Sequence, residues 1–318
     1  MRDNFMQIEK VVVDDGSTGT KVAFSENGRL KLIRISNSAE IGGGFADEDS
    51  NTYRVGTSTF TYFDACNSLA TDNINYQFSE HCVASVHHAL HELGFSGRQV
   101  ELTCTLPISL FYKDGRKNLE AIERKKETLL KKVTHEIKKD IHIVDVSVFP
   151  EGIPAVYPLL VSEDGSSIVD SDELTCIADF GGTTLDLALF SGAAKRVLKA
   201  TSIEIGMLSA HDSILKSLKL DKMRLPMLQN LLEKGEAARG RYVVNRQDVT
   251  LSLMERARVE IVNFLGHDLN IISNLFLVGG GAELLEKHLK SAGISSSVVE
   301  NSTMALVGSL AKIQKIEG

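Results

Sequence analysis

The 318-residue sequence has little cysteine, and none of it in a CxxC spacing: Cys66, Cys82, Cys104 and Cys176 stand far apart. That pattern excludes a disulfide framework and a cysteine-based structural zinc site, and it suits a reducing compartment. Long apolar runs are missing as well. Nothing approaches the ~20 residues that span a bilayer, and the polar opening MRDNFMQIEK lacks the apolar core of a secretory signal. A cytoplasmic protein without a membrane partner is expected. Positive charge is in deficit, with 35 Lys and Arg against 42 Asp and Glu and a net charge of −7. Such a balance gives no global attraction to nucleic acid, so any association with DNA is expected to be indirect. The Walker pattern GxxxxGK[ST] and the dinucleotide fingerprint GxGxxG are both absent. VHHALHELG places His87 and His91 at i, i+4. It supplies neither the glutamate of HExxH nor a third ligand, so it reads as a solvated or partly buried helix face.

What is present suits a globular α/β protein: 43% apolar and 24% charged residues over a length that allows one large domain or two. VVVDDGSTGTKVAF (11–24) reads as two strands joined by a tight turn, and GRLKLIRIS (28–36) as a third with one buried face. Residues 37–72, rich in Gly, Ser, Thr and aromatics, read as a β-rich insert entered through IGGGF (41–45). A helix over 76–94 ending at Gly94, a strand over 99–107, a charged helix over 118–139 and a strand over 141–150 follow. A short helix then begins in EGIPAVYPLLV (151–161). In the helix over 118–139, RKKETLLKK (124–132) is interleaved with acids and reads as a solvent face or a contact between subunits.

After the polar link 162–173 the pattern restarts. TCIADF, TTLDLALF and KRVLKATSIEI read as strands, followed by a helix over 207–219, an irregular charged stretch over 220–247 and a helix over 248–266. A strand at 274–280, a helix, the strand SSVVE and a last helix complete the chain. The chain therefore reads as a duplication: halves 1–162 and 163–318, a variable insert at 220–247, and a last helix packing back on the first half.

The two hairpins match each other. Each has an apolar strand, an Asp, a turn of small residues, and a second apolar strand. Glycine permits close backbone approach, hydroxyls add donors, and successive N–H groups form an anion-binding concavity. Asp15, Gly16, Ser17 and Thr18 in one turn and Gly181, Gly182, Thr183 and Thr184 in the other are thus candidate polyphosphate ligands, with Lys21 as a compensating cation. Asp14 and Asp179 would repel phosphate directly. They make sense as holders of Mg²⁺ through its retained waters. In LVGGGAELLEKHLKSAG (277–293) a strand runs through Gly279, Gly280 and Gly281 into a helix, where a flat or charged group can lie against backbone.

The order of these elements resembles the actin/sugar kinase/chaperone ATPase superfamily. More narrowly, VDDGSTGTK, VHHAL, CTLPISLFY, IERKK, PEGIPAVY, DFGGTTLD and VGGGAEL resemble the ParM/StbA family of plasmid-segregation actin-like proteins. The resemblance implies duplicated actin-like (ribonuclease H-like) α/β domains flanking a nucleotide cleft. It implies ATP, or GTP, with Mg²⁺, an adenosine loop at Gly279–Gly281 with Glu283, and Glu151 of FPEGIPAVY as the catalytic glutamate. A strand end in an open α/β sheet faces a ligand crevice, which agrees with that place for Glu151. It further implies a bacterial ATPase that assembles into helical filaments of itself and reaches plasmid DNA through a ParR-type centromere-binding adaptor. The extension before Val11, the insert at 37–72 and the region 220–247 depart from the family pattern. Gly206 is expected either to mark the second crossing between halves or to start a helix. A small-molecule kinase of the same superfamily is the alternative enzyme; the expected cysteine-histidine zinc motif and sugar-binding segment are not found. A chaperone-type ATPase would need a further domain, for which the sequence leaves no room after its last helix. A filament with a non-plasmid cargo is the remaining alternative.

Overall fold

A computed structural model of the chain describes residues 8–42, 51–63 and 74–316. By internal contacts it divides into two compact units. The first holds residues 1–106, 119–149 and 310–318, and the second holds 107–118 and 150–309. The division differs from a cut at 162: the segment 107–118 and residues 150–162 belong with the second unit, and the boundary near the C-terminus falls inside the last helix.

In the first unit β1 (Ile8–Gly16), β2 (Gly19–Glu26) and β3 (Arg29–Ile35) form an antiparallel meander. β4 (Ala39–Ile41), β5 (Thr52–Val55) and β6 (Ser58–Tyr62) begin a second, smaller sheet, and α1 (Glu80–Glu92) follows. Ser79 caps α1 by accepting from Cys82 N, and Gly94 at φ 83° lies just beyond its end. β7 (Gln99–Leu106) lies parallel to β1. Next come α2 (Ile108–Phe111), β8 (Tyr112–Lys113) and β9 (Arg116–Lys117), which belong to the second unit. α3 (Leu119–Leu129), β10 (Val133–His135) and β11 (His142–Pro150) follow. The main sheet has the order β11-β7-β1-β2-β3, and the insert sheet has the order β10-β5-β6-β4.

Two expectations are corrected here. The helix read over 118–139 stops at Leu129, because Val133–His135 pair with Tyr53–Val55 as an edge strand of the insert sheet. β-Branched residues suit that pairing, but the partner strand is far away in sequence. The face carrying His87 and His91 is interior, with eleven of the thirteen α1 residues buried. Cys82, Val86, Ala89 and Leu90 pack on the main sheet. On the other side Val83 and Ala84 meet the insert sheet, where His81 stacks on Phe60 and His88 on Tyr62. The read segments 43–50 and 64–73, most of the linking part of the insert and Cys66 included, lie outside the described residues.

The second unit continues with α4 (Ile153–Val156), β12 (Leu174–Phe180), β13 (Leu185–Ser191), β14 (Arg196–Ile203) and α5 (His211–Leu218). α6 (Leu225–Lys234), β15 (Glu236–Ala237), β16 (Tyr242–Val243) and α7 (Arg246–Leu265) follow. β17 (Asn274–Val278), α8 (Ala282–Ser291), β18 (Ser297–Val298) and α9 (Ala305–Ile313) complete the order. The stretch 220–247 is thus not irregular. α6 buries Leu228, Leu231 and Leu232 at i, i+3 and i+4, and it ends on Gly235 in the left-handed region. In α9 Leu306 and Leu310 are buried, while Ile313 is exposed.

The sheet order β14-β13-β12-β17-β18 repeats that of the first unit. β12 pairs antiparallel with β13 and parallel with β17, as β1 does with β2 and β7. The duplication read from the sequence is therefore a duplication of topology, and it puts the hairpins β1–β2 and β12–β13 at equivalent places.

Candidate functional site

In the first unit, strand periodicity sends Asp14 and Asp15 to opposite faces. Asp15 shares the face of Val11 and Val13 beneath α1 and is 1% exposed. Its Oδ2 accepts from Lys125 Nζ at 2.5 Å and from the Cys82 thiol at 2.7 Å. Lys125 also donates to the carbonyl and the side-chain oxygen of Gln77, at 3.1 and 2.6 Å. Burial alone would discharge this ammonium, but the Asp15 carboxylate holds its pKa above the ordinary lysine value. Burial, then Asp15, pushes the Cys82 thiol well up, so it stays protonated as a donor. Asp14 faces the other way. It stands opposite Lys21 in the β1–β2 register, with Nζ–Oδ2 2.7 Å, and it also accepts from Thr105 Oγ1 at 3.2 Å.

The turn 16–19 is tied down through its carbonyls. Asn37 Nδ2 donates to Gly16 O at 2.9 Å and to Ser17 O at 3.3 Å, and Arg34 Nη2 donates to Thr18 O at 2.8 Å. In a trans peptide the N–H points opposite the preceding C=O. The N–H groups of Ser17 and Thr18 are therefore turned away from Asn37. Gly19, at φ 154°, allows no side chain: a Cβ would lie 2.9 Å from Arg34 Nε and 3.0 Å from Ile35 O.

The second hairpin is built alike. Cys176, Ala178, Phe180, Leu185 and Leu187 face the large core of this unit, while Asp179 and Asp186 stand opposite each other on the other face. The turn is closed by Gly181 N donating to Thr184 O at 3.0 Å. The carbonyls of Gly181 and Gly182 accept from Met207 N at 3.0 Å and Leu208 N at 2.8 Å, which turns the N–H groups of Gly182 and Thr183 outward. Gly206 is thereby accounted for. It is extended, and a Cβ on it would sit 2.5 Å from Gly182 C and Thr183 N, so its role is close packing under the turn.

The glycine loop lies against the same hairpin. Gly281 N donates to Phe180 O at 3.1 Å, and Gly279, at φ 88°, would place a Cβ 2.6 Å from Asp179 Oδ1. Gly279 N donates to Ser302 O at 3.1 Å. Gly280 is exposed with open space beside it, and Glu283 is exposed in the first turn of α8. Glu151 lies between β11 and α4, in the second unit. Its neighbour Gly152, at φ 75°, would direct a Cβ to 3.6 Å from Asp179 Cβ, so the Glu151–Gly152 segment runs beside Asp179.

Two family profiles match successive stretches of the sequence. "Plasmid segregation protein ParM, N-terminal" matches residues 9–162, and "Archaeal actin homologue MreB-like, C-terminal" matches residues 177–291. The chain has the two-domain actin-like fold, and its N-terminal part matches the ParM family model. Its fold is shared with the archaeal actin homologue Ta0583 in complex with ADP, at TM-score 0.70 and 18% identity, covering 97% of this chain and 99% of that one. It is shared equally with the 15-stranded ParM filament from Clostridium botulinum, at TM-score 0.69 and 17% identity over 98% and 100%. The pCBH ParM non-polymerisable quadruple mutant gives TM-score 0.70 and 16% identity over 97% and 99%. A search of curated protein sequences gives no match.

Within this actin-like chain each unit gathers its own set of sequence-read residues. Gly16, Ser17, Thr18, Lys21 and Asp14 sit on one hairpin tip. Gly181 to Thr184, Asp179, Glu151 and the Gly279–Gly281 loop lie together in the second unit. Asp15 is the exception, since its carboxylate is spent on Lys125 in the interior and cannot reach a phosphate. Lys125 in turn is no part of a solvent face, being fully buried. Asn37, Arg34, Thr105, Gly19, Lys125 and Asp186 were missed, because each acts across strands or between distant elements. Arg34 alone had a legible signal, its register opposite Lys21.

Proposed function

We propose that the chain is an actin-like ATPase whose hairpin turns bind nucleotide phosphates, and which assembles into filaments with ATP. The observation that carries this reading is the repeated turn: in both units an acid precedes a small-residue turn whose carbonyls are held by the protein and whose N–H groups face outward. Such a turn suits an anion. The ADP complex of the related archaeal fold supports a nucleotide, and the filament of the Clostridium botulinum relative supports assembly.

Magnesium fits the acids unequally. Asp14 already carries a cation in Lys21, whereas Asp179 stands opposite a second acid, Asp186, where a cation offsets like charge. Asp179 would hold the ion through water, and the ion would supply charge neutralisation for the phosphates. Gly279, Gly280, Gly281 and Glu283 would take the adenosine. Glu151 would orient the attacking water and accept its proton as the bond to the γ-phosphate breaks. GTP remains an alternative nucleotide. In this reading the chain partners itself and a ParR-type adaptor, and plasmid DNA is reached only through that adaptor, in keeping with the net charge of −7. No helix among the described residues is long and apolar enough to cross a membrane.

Sedimentation with ATP, with ADP and without nucleotide tests the reading, alongside phosphate release. Pelleting and phosphate release that depend on ATP support it. No assembly at any concentration, or transfer of phosphate to a small sugar instead, would remove it.

A further inference from the structure

The chain leaves the first unit at Leu106 and enters the second at Pro107. Both sides of this junction are held by hairpin acids. Before it, Thr105 Oγ1 donates to Asp14 Oδ1 at 3.2 Å in the first unit. After it, Ile108 N donates to Asp186 Oδ1 at 3.4 Å, and Ser109 N donates to Ser202 Oγ at 3.2 Å in the second. Ser202 Oγ itself donates to Asp186 Oδ1, and Thr184 Oγ1 of the turn donates to Asp186 Oδ2 at 2.7 Å. Asp14 and Asp186 are not equivalent in the duplication. Asp14 matches Asp179, and Asp186 matches Lys21, each seven residues on and directly opposite across the hairpin. The second unit thus carries an acid where the first carries a base, and that acid, 2% exposed, spends its oxygens on the turn, on β14 and on the crossover.

We propose that Asp186 is a positioning residue that couples the second phosphate turn to the crossover 105–109, so that nucleotide at Thr183–Thr184 is registered at the Ile108 and Ser109 amides. The proposal rests on the reading that this turn binds nucleotide phosphate. One carboxylate cannot keep its bonds to Thr184 and Ile108 unchanged if the turn shifts toward a ligand. A displacement at Thr184 Oγ1 is therefore passed, through the two oxygens of a single rigid group, to the first amides beyond the junction. A role confined to holding β13 against β14 would need only the Ser202 bond.

Amide hydrogen exchange of residues 107–118, with and without saturating Mg²⁺ and a non-hydrolysable ATP analogue, reads the coupling. Nucleotide binding is measured separately with a fluorescent ADP. In the unsubstituted protein the analogue is expected to slow exchange at Ile108 and Ser109 by about fivefold or more, the lower end of ordinary coupling between sites. Asp186→Ala is expected to keep nucleotide binding, weakened, and to lose that slowing at saturation. Asp186→Asn, which retains an acceptor for Ile108 N, is expected to restore most of it. Should Asp186→Ala not fold, Ser202→Ala removes one donor to Asp186 and the acceptor of Ser109 N, and is expected to halve the response or more. An unchanged response in a folded, nucleotide-saturated Asp186→Ala or Ser202→Ala protein would overturn the coupling while leaving nucleotide binding intact. Absence of binding in the unsubstituted protein would overturn the underlying reading, and the coupling with it.

Discussion

At the scale of single residues, adjacent acids in DDGSTGTK serve opposite purposes because a strand alternates its faces. Asp15 belongs to a closed interior set with Lys125, Cys82 and Gln77, while Asp14 belongs to the turn. Removing one partner of a buried pair strands the other's charge. Lys125→Met is therefore expected to destabilise the protein by about 3–5 kcal/mol in urea unfolding. A loss under about 1 kcal/mol would show that Asp15 is compensated from elsewhere. Glu151→Ala is expected to bind ATP normally and to release phosphate about a hundredfold more slowly or worse, the ordinary worth of a positioned base. Normal turnover would take the catalytic role from Glu151. The motif acids and glycines were legible because their chemistry is local. Lys125 was not, since RKKETLLKK looks like any solvated charged face until a distant carboxylate is placed over it.

At the scale of elements, glycine positions separate turns that need glycine from turns that tolerate a side chain. Gly206→Ala forces a methyl into the backbone of Gly182 and Thr183, whereas Gly280→Ala meets open space. Nucleotide affinity is expected to fall by about tenfold or more in the first, equivalent to ~1.4 kcal/mol of loop distortion, and by less in the second, whose methyl meets no protein atom. Equal losses would mean that the 206–208 segment does not shape the turn. α1 makes a different prediction. Burial lowers the pKa of His81 to about 4 and those of His87 and His88 to about 3, well below the unfolded value of ~6.5. These rings are neutral when folded, and the unfolded chain takes up their protons first as pH falls. Their contribution is whole above pH ~6.5 and is lost between there and the folded values, at about 1.4 kcal/mol per group per pH unit. Unfolding free energy measured by denaturant is thus expected to drop by several kcal/mol between pH 7.5 and 5.5. A flat profile would mean that these rings take up protons as readily in the folded state as in the unfolded one. The meander strands, α1 and α7 were readable from local period and caps, but β10 needed a partner strand that no local pattern announces. α6 had its pattern of Leu228, Leu231 and Leu232 and its terminal Gly235, obscured by the charged residues on either side.

At the scale of the whole molecule, the duplication organises everything else. Two sheets of the same order carry matching hairpins, and the copies differ at Lys21 against Asp186 and at the glycine loop after β17 against the strand β7 that runs to the crossover. The repeat was visible in the sequence because both hairpins kept their acids and small residues. The assignment of 107–118 and 150–162 to the second unit was not, since contacts rather than chain order decide it. The central claim is that the small-residue turns of β1–β2 and β12–β13 bind nucleotide phosphate. Equilibrium titration of a fluorescent ADP with Mg²⁺ against the unsubstituted chain, Gly19→Ala and Gly206→Ala tests it most directly. The account predicts that either substitution reduces affinity about tenfold or more. Unchanged affinity in either folded variant would contradict it.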